Sequence, residues 1–279
     1  MEAKLKPKDY LKYLFMIAIA GIMFFPTLWI ASSSLKSLVA ISAYPPELIP
    51  KELHFENYVE VFTRPQSNIL YYLRNTLILI LGNTLGTLVS SSIVAYPLAR
   101  MNFTGKKIVF GLILATMMVP STALIVPQYM LFSKFGWLNS FLPIIVPAFF
   151  AYPYNVFLFR QFYKTIPASI DESALIDGCN RWDIFVKMIM PLSRPIFISV
   201  GVLSSVYWWN ELFIPLIYLD SDMLKPLTTG ALTAFKNLFI SMWNVQMAMS
   251  MMMIIPPMVL YVFAQKYLTE GIKTSGMKG

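Results

Sequence analysis

The sequence is poor in the residues from which metal and catalytic sites are usually built. It has one cysteine, Cys179, and one histidine, His54, among 279 residues. A single cysteine excludes a disulfide framework within the chain, and one residue of each kind cannot form a zinc cluster. The apolar segments also lack the Ser-His, Cys-His or paired-carboxylate arrangement of a membrane enzyme. We therefore expect no catalytic residue and no metal site.

Signals for nucleotide and nucleic-acid binding are weak as well. The Gly105-Lys106 pair is followed by Lys107 and lacks the earlier glycine of a phosphate-binding P-loop. Charged residues make up 13% of the chain, and its net charge of +8 is spread over short clusters between apolar runs. Such scattering is unlike the basic face of a nucleic-acid-binding protein. We expect no nucleic-acid partner, and we expect ATP to be bound elsewhere.

Apolar residues are abundant: 57% of the chain is hydrophobic and its mean hydropathy is +0.62, which is typical of a membrane protein. A helix of about 20 residues crosses a hydrocarbon core of about 30 Å. Pro256 and Pro257 should kink or break the last apolar run. We predict an all-α membrane protein, one domain over residues 1–279, whose six transmembrane helices lie near 11–32, 69–99, 108–132, 138–162, 195–219 and 243–267.

The basic residues predict the orientation of these spans. With a cytoplasmic N-terminus, most of the 22 Lys and Arg residues fall in inside segments, as the positive-inside rule requires. Both termini would then be cytoplasmic, with an outer loop over 33–68. Its stretch "ELHFENYVEVF" predicts a short amphipathic helix between prolines. The first run is too long for a secretory signal, so we expect a retained span, with a cleaved signal as the alternative.

The predicted cytoplasmic segment 164–194 is unusually long for a connection between two helices. Ser169 and Glu172 have the spacing of a capping box, in which each side chain binds the other residue's free backbone N–H at a helix start. A short helix is therefore predicted over about 170–176.

A glycine follows where that helix should end. Gly178 comes after Asp177, and glycine takes the positive φ of a helix C-terminus without steric cost. A second helix is predicted from about Arg181 to Met190, and it should stop at Pro191. The segment is thus predicted to be two helices joined by a glycine elbow, before the chain re-enters the bilayer.

The stretch "IPASIDESALIDGCNRWDIFVKMIMPLSRP" closely resembles the EAA loop of the inner-membrane permease subunits of binding-protein-dependent ABC importers. That loop has E-A-A, a glycine and then I-x-L-P. The departures are mild: Ser173 and Cys179 replace alanines, and two methionines before Pro191 replace the Ile and Leu of the last motif. Upstream "NVFLFRQFYKTIP" and downstream "WWNELFIPLIYL" resemble the maltose-type carbohydrate-uptake branch. The residues at the positions of the coupling motif are Glu172, Ser173, Ala174, Asp177, Gly178 and Pro191.

The resemblance implies both partners and a role. It implies that the helix pair sits in a cleft of a cytoplasmic ATPase subunit, with Glu172 facing a basic residue there. The complete importer would hold a second, nonidentical permease, an ATPase dimer that binds ATP and Mg, and an external or periplasmic solute-binding protein. The chain would lie in the cytoplasmic (inner) membrane of a bacterium or archaeon and pass a sugar or oligosaccharide across the bilayer.

Four residues are candidates for lining the sugar path: Asn83, Trp208, Asn210 and Glu211. An ionisable group within a span is costly enough to suggest a function. The alternative for Asn210 and Glu211 is a place near the outer interface, where tryptophan is common and the two side chains would brace a neighbouring helix. Asn83 lies within a GxxxG pattern, which is more typical of close helix packing than of a ligand site.

Two other functions remain as alternatives. A self-contained secondary transporter would need its own ion relay, and Glu211 is the one acid available within the predicted spans, which argues against it. An ABC importer permease for glycerol phosphate or another polyol is the closer alternative. Few cations fall within the spans, which favours a neutral sugar over a phosphorylated one.

Overall fold

The computed structural model describes residues 7–64, 68–234 and 242–276, and within them the regular structure is helical. Residues 65–67 of the predicted outer loop and both ends of the predicted domain lie outside this range. The all-α class is confirmed. The helices are α1 (Pro7–Ser33), α2 (Leu38–Ile41), α3 (Glu56–Thr63), α4 (Ile69–Arg100), α5 (Lys106–Thr116), α6 (Ile125–Lys134), α7 (Leu142–Ile145), α8 (Pro153–Tyr163), α9 (Ser169–Ile176), α10 (Arg181–Ile184), α11 (Met190–Leu192), α12 (Arg194–Asn210), α13 (Phe213–Tyr218), α14 (Leu227–Ala234) and α15 (Trp243–Gly276).

Within the described residues, four to six segments are long and apolar enough to cross a membrane. Two of the six are helix pairs bent by 88° and 75°. This range supports a multi-pass membrane protein, and the count of six spans stays a prediction. The four single segments are Lys12–Ser33, Ile69–Arg100, Leu142–Tyr163 and Trp243–Lys266, and the bent pairs are Lys106–Thr116 with Ser121–Lys134 and Arg181–Leu192 with Arg194–Asn210.

Prolines act differently in the third and sixth predicted spans. The run predicted as one helix over 108–132 is two helices, α5 and α6, at 88°. Pro120 lies between them, and proline disfavours helical backbone in the residue before it. Of the kink or break expected at Pro256 and Pro257, the break is absent, because α15 runs unbroken through both, and the kink stays a prediction. Membrane helices tolerate proline where neighbouring groups satisfy the freed carbonyls.

The run predicted as one span over 195–219 is also interrupted. Helix α12 ends at Asn210 and α13 begins at Phe213. In an unbroken helix, the ring of Pro215 would clash with the carbonyl of Glu211, four residues earlier. The backbone at Glu211 is extended instead, with ψ 123°.

The chain divides into two compact units, one formed by Met1–Ile69 with Ala231–Pro256, the other by Leu70–Gly230 with Pro257–Gly279. The prediction of one permease domain stays a prediction. In the second unit, side chains from α4, α8 and α12 form a core with the segment that follows α8. Its large buried members are Tyr96, Leu98, Val156, Phe159, Tyr163, Ile184, Phe185, Ile189, Ile196 and Val200. The polar segment 164–194 is therefore built onto the core of the second unit.

The glycines of the GxxxG pattern allow α4 to pack closely. A Cβ on Gly82 would lie 2.8 Å from the Ile145 side chain, and one on Gly86 would lie 2.9 Å from the ring of Phe149. Both distances are too short for carbon atoms, so a side chain at either position would force the side chains of Ile145 or Phe149 to move. The packing interpretation of this pattern is supported.

The segment that packs on α4 is itself broken. Ala151 has φ 60° and ψ 103°, a backbone conformation that residues other than glycine rarely adopt. Its N–H donates to the Ser90 hydroxyl oxygen at 3.1 Å, and that hydroxyl lies 2.9 Å from the carbonyl oxygen of Ala148. The Ser90 oxygen of α4 thus accepts the backbone N–H that the break leaves without a helical partner, while its single hydrogen is shared between the carbonyls of Gly86 and Ala148.

In the first unit, the predicted amphipathic helix of the outer loop is present as α3. Asn57 of α3 is buried, and its amide donates to the carbonyls of Ser34 and Lys36, each at 2.9 Å. The Asn244 amide donates in turn to the Asn57 side-chain oxygen at 2.7 Å. A buried amide network therefore fixes α3 against the end of α1 and the start of α15.

Candidate coupling site

Helix α9 lies where it was predicted, but its start differs. Ala168 occupies the position before the first helical residue, with φ −66° and ψ −29°, and no side chain caps the helix. An N-cap residue needs extended backbone, whereas a turn from the Pro167 carbonyl to the Ile170 N–H already places Ser169 in the helix. The predicted capping box of Ser169 and Glu172 is therefore wrong.

The glycine elbow after α9 has the predicted geometry. Gly178 has φ 83°. Its N–H donates to the Leu175 carbonyl at 3.1 Å, and the Cys179 N–H donates to the Ala174 carbonyl at 2.9 Å. This pair of bonds is the Schellman motif, which satisfies carbonyls at the end of a helix. The elbow is thus held by hydrogen bonds between its own backbone groups.

The second helix begins at a residue that sequence reasoning missed. Asn180 has extended backbone, and its side-chain oxygen accepts the Asp183 N–H at 2.9 Å. Asparagine is among the best N-cap residues. Its position one residue before the predicted helix start was the available signal.

The second helix does not stop at Pro191. A π turn over Phe185–Ile189 follows α10, and the N–H of Met190 donates to the carbonyl of Phe185, five residues earlier. Proline has no N–H, and in a regular α-helix its ring would clash with the carbonyl four residues earlier. The extra residue of the π turn shifts that register, and the helix continues to Leu192.

The surface of α9 has a buried side and an exposed side. Ala174 is 1% exposed and Asp171 is 7% exposed. The Ser173 hydroxyl donates to the Ser169 carbonyl at 2.9 Å, so it is satisfied within the helix. Five of the six predicted coupling residues are exposed: Glu172, Ser173, Asp177, Gly178 and Pro191. The buried Ala174 anchors the helix, and the remaining residues leave a surface available to a partner.

An ion pair that sequence reasoning missed holds α9 in place. Asp171 pairs with Arg100, the last residue of α4. The Arg100 guanidinium also donates to the carbonyls of Ile166 at 2.6 Å, Pro167 at 2.9 Å and Tyr163 at 3.2 Å. One side chain therefore joins α4, the end of α8 and α9.

The first three candidates for the sugar path have different surroundings. Asn83 is fully buried, and its amide donates to the Leu79 carbonyl in the same helix at 2.9 Å. Trp208 is 7% exposed. Asn210 is exposed, and its amide donates to the Val206 carbonyl at 2.8 Å. Asn210 is therefore the one of these three whose side chain is open to a ligand or partner.

Glu211 has local structural partners at the break after α12. Its carboxylate accepts the N–H groups of Phe213 at 2.9 Å and Ile214 at 3.0 Å, so it caps α13. Its carbonyl accepts the Thr228 hydroxyl at 2.7 Å. These bonds support the bracing interpretation, and contact with a substrate stays a prediction.

Comparison with known proteins identifies the family. Residues 82–274 match the model of the binding-protein-dependent transport system inner membrane component. The chain belongs to this family. The matched region of this inner membrane component begins in α4 and includes α9, the glycine elbow and the break at Glu211.

Relatives match over almost the whole chain. The arabinooligosaccharides transport system permease protein AraQ of Halalkalibacterium halodurans is 31% identical over 99% of this chain and 100% of that protein. The trehalose/maltose transport system permease protein MalG of Thermococcus litoralis is 27% identical over 94% of each chain. A chain from the crystal structure of a bacterial ABC transporter involved in the import of the acidic polysaccharide alginate superposes with a TM-score of 0.84, at 23% identity, over 95% of this chain and 99% of that one. The last similarity concerns the fold.

Proposed function

We propose that this chain is one permease half of an ATP-driven importer for an oligosaccharide or related sugar, and that α9 with the Gly178 elbow docks on a cytoplasmic ATPase subunit. Family membership and the oligosaccharide and disaccharide relatives support this function. The observation that carries the docking proposal is α9 itself, which is anchored on one side and exposes the coupling motif on the other.

The chemistry of this exposed side suits a groove in another protein. Glu172 is exposed and has no ion-pair partner among the described residues, so its charge is available to a basic residue. The small residues Ser173 and Gly178 allow close approach of a second backbone. Because the Schellman motif already pairs two carbonyls of α9, docking there need not bury them unsatisfied. A charge at such an interface fixes the register of the two proteins.

In the proposed complex, other subunits carry out the remaining steps of transport. The ATPase dimer binds ATP and Mg and supplies the energy, a second nonidentical permease completes the path, and an external solute-binding protein delivers the sugar. Closure of the ATPase on ATP would move α9 and the elbow and, through Pro195, α12. The chain lies in the inner membrane with both termini cytoplasmic. A polyol or glycerol phosphate is the alternative substrate.

The sugar path is proposed to include Asn210 and Glu211, and Trp208 and Asn83 stay candidates for it. Asn210 is exposed at the end of α12, and amide groups hydrogen-bond sugar hydroxyls well. Glu211 lies at a helix break, and non-helical backbone at membrane depth is tolerated where it is buried in protein or lines a water-filled cavity.

The docking proposal is tested by purifying the chain from membranes in mild detergent and measuring the co-purified ATPase. Wild type should retain the ATPase, whereas Glu172→Lys should lose most of it, because the reversed charge would face a basic residue. Glu52→Lys is the matched control, since Glu52 is an exposed acid of the outer loop. Retention by Glu172→Lys would contradict docking through α9. Absence of any ATPase from folded wild type would contradict the importer function.

A further inference from the structure

The pair formed by Arg100 and Asp171 is buried, with side chains 7% and 10% exposed. Removing two charges from water costs several kcal/mol per ion, and their attraction recovers this cost only when the geometry is good and further hydrogen bonds are made. Apolar residues of similar size often give equal stability at such a position. Stability of the fold is therefore a weak reason for an ion pair here.

The contacts of Arg100 link segments that the chain does not join directly. Its guanidinium binds the carbonyls of Tyr163, at the end of α8, and of Ile166 and Pro167, which lead into α9. The ion pair with Asp171 also links Arg100 to the first turn of α9. A single rigid, planar group thus holds the coupling helix against the cytoplasmic end of α4 under the predicted topology.

The pair also has hydrogen-bonding capacity that is not used. Within the part of the chain that the structure describes, the Nε of Arg100 and the Oδ1 of Asp171 are buried without a hydrogen-bond partner. An arginine and a carboxylate can form two parallel bonds, whereas here one carboxylate oxygen makes the contact. A small rotation of α9 would replace the contact through one carboxylate oxygen by two parallel bonds. The ion pair can therefore persist while the helix moves.

Helix α4 is well placed to pass such a motion on. The Thr84 hydroxyl of α4 donates to the Ser204 hydroxyl of α12 at 3.2 Å. The coupling segment, residues 164–194, continues directly into α12, which begins at Arg194. It is not next to α4 along the chain, because α5 to α8 lie between them. Apolar packing joins the two, as in the contact between the rings of Tyr96 and Phe185, and the ion pair adds a directional, charged link at α9 itself.

Resting on the importer function proposed above, we infer that Arg100 and Asp171 are positioning residues that make the end of α4 move with the coupling helix. The motion of α9 then reaches the membrane by two routes, through α12 along the chain and through α4 across the ion pair. Loss of the pair should leave the ATPase bound and active but separate ATP hydrolysis from sugar movement.

The test uses the complete importer in proteoliposomes, with its ATPase, second permease and binding protein, and measures sugar transported per ATP hydrolysed. Asp171→Asn should retain the ATPase and its hydrolysis but lower this ratio about tenfold, as expected for a coupling contact. Asp222→Asn is the matched control, because Asp222 pairs with Lys225 of its own segment and lies outside the segment 164–194. An unchanged ratio in Asp171→Asn would overturn the inference.

A double variant separates positioning from stability. Asp171→Asn alone leaves the Arg100 charge buried and can lower the yield of folded protein. Arg100→Gln with Asp171→Asn removes both charges, so it should fold better than either single variant. The ratio of sugar to ATP should nevertheless stay low, whereas a return to the wild-type ratio would show a merely structural pair. Failure of the importer function itself would appear in wild type, as hydrolysis without sugar uptake.

Discussion

The coupling segment and the outer loop are polar segments that follow apolar helices, and each is held by one buried side chain that donates to backbone carbonyls. Arg100 binds the carbonyls of Ile166 and Pro167 before α9. Asn57 binds two carbonyls that follow α1. In both places a side chain supplies the donors that water would supply in a free loop.

The two anchors differ in charge and in completeness. Asn57 uses two amide donors and accepts from Asn244 at its oxygen, so the hydrogen-bonding groups of this neutral side chain are all used, and the atom of this network left without a partner among the described residues is the Oδ1 of Asn244. Arg100 and Asp171 carry opposite charges and leave one atom each without a partner among the described residues. The side chain that holds the outer loop is therefore fully hydrogen-bonded, whereas both members of the pair that holds α9 retain unused hydrogen-bonding capacity.

The largest loss of stability is expected from Arg100→Ala. It leaves the Asp171 carboxylate buried without its partner and also removes the donors to three carbonyls, which should lower the free energy of unfolding by about 3 to 5 kcal/mol. Thermal unfolding in detergent measures this loss. Arg194→Ala, at an exposed arginine that begins α12, is the control. Equal unfolding temperatures for the two variants would contradict the anchoring role of Arg100.

A smaller loss is expected from Asn57→Leu in the outer loop. Two carbonyls and the Asn244 amide lose their partner, at a cost of about 2 kcal/mol. Limited proteolysis of the outer loop, followed by mass spectrometry, should show faster cleavage. Asn102→Leu replaces an exposed asparagine and should leave the cleavage rate unchanged. If Asn57→Leu destabilised the protein more than Arg100→Ala, the proposed difference between neutral and charged anchors would be reversed.

The smallest loss of stability is expected at the elbow, although its effect on transport should be large. A Cβ at Gly178 would meet no atom within 4 Å, so its positive φ is the source of strain. Gly178→Val should cost about 1 to 2 kcal/mol and abolish sugar uptake without preventing membrane insertion. Asparagine tolerates this conformation better, so Gly178→Asn should retain more uptake than Gly178→Val, which has a side chain of similar size.

Gly111 provides the matched control for that prediction. It also has open space around the Cβ position, but it lies within α5 and its φ is not positive. Gly111→Val should therefore transport normally. Normal uptake by Gly178→Val would show that the elbow does not need a left-handed residue.

Features that depend on neighbouring residues could be predicted from the sequence. The bounds of α9 and the positive φ of Gly178 follow from the local pattern at a helix end, and both are present. The capping of the start of α9 was predicted incorrectly, because a turn at Pro167 competes with the capping box. The N-cap Asn180 carried a local signal that could have been used.

Features that depend on distant residues could not be predicted in this way. Neither Arg100 nor Asp171 has a local pattern that indicates its partner, because the pairing requires α4 and α9 to be packed together first. Proline alone was also an incomplete guide. The break before Pro215 has a capping carboxylate in Glu211, whereas α15 continues through Pro256 and Pro257.

The hydroxyl of Ser90 bears on the order in which the segments enter the bilayer during synthesis. It accepts the N–H of Ala151 at the break in the Leu142–Tyr163 segment, and an unpaired N–H in hydrocarbon costs several kcal/mol. Helix α4 leaves the ribosome first, so its hydroxyl is present when the broken segment arrives. The later segment should therefore partition into lipid beside α4, and the two form one unit of insertion.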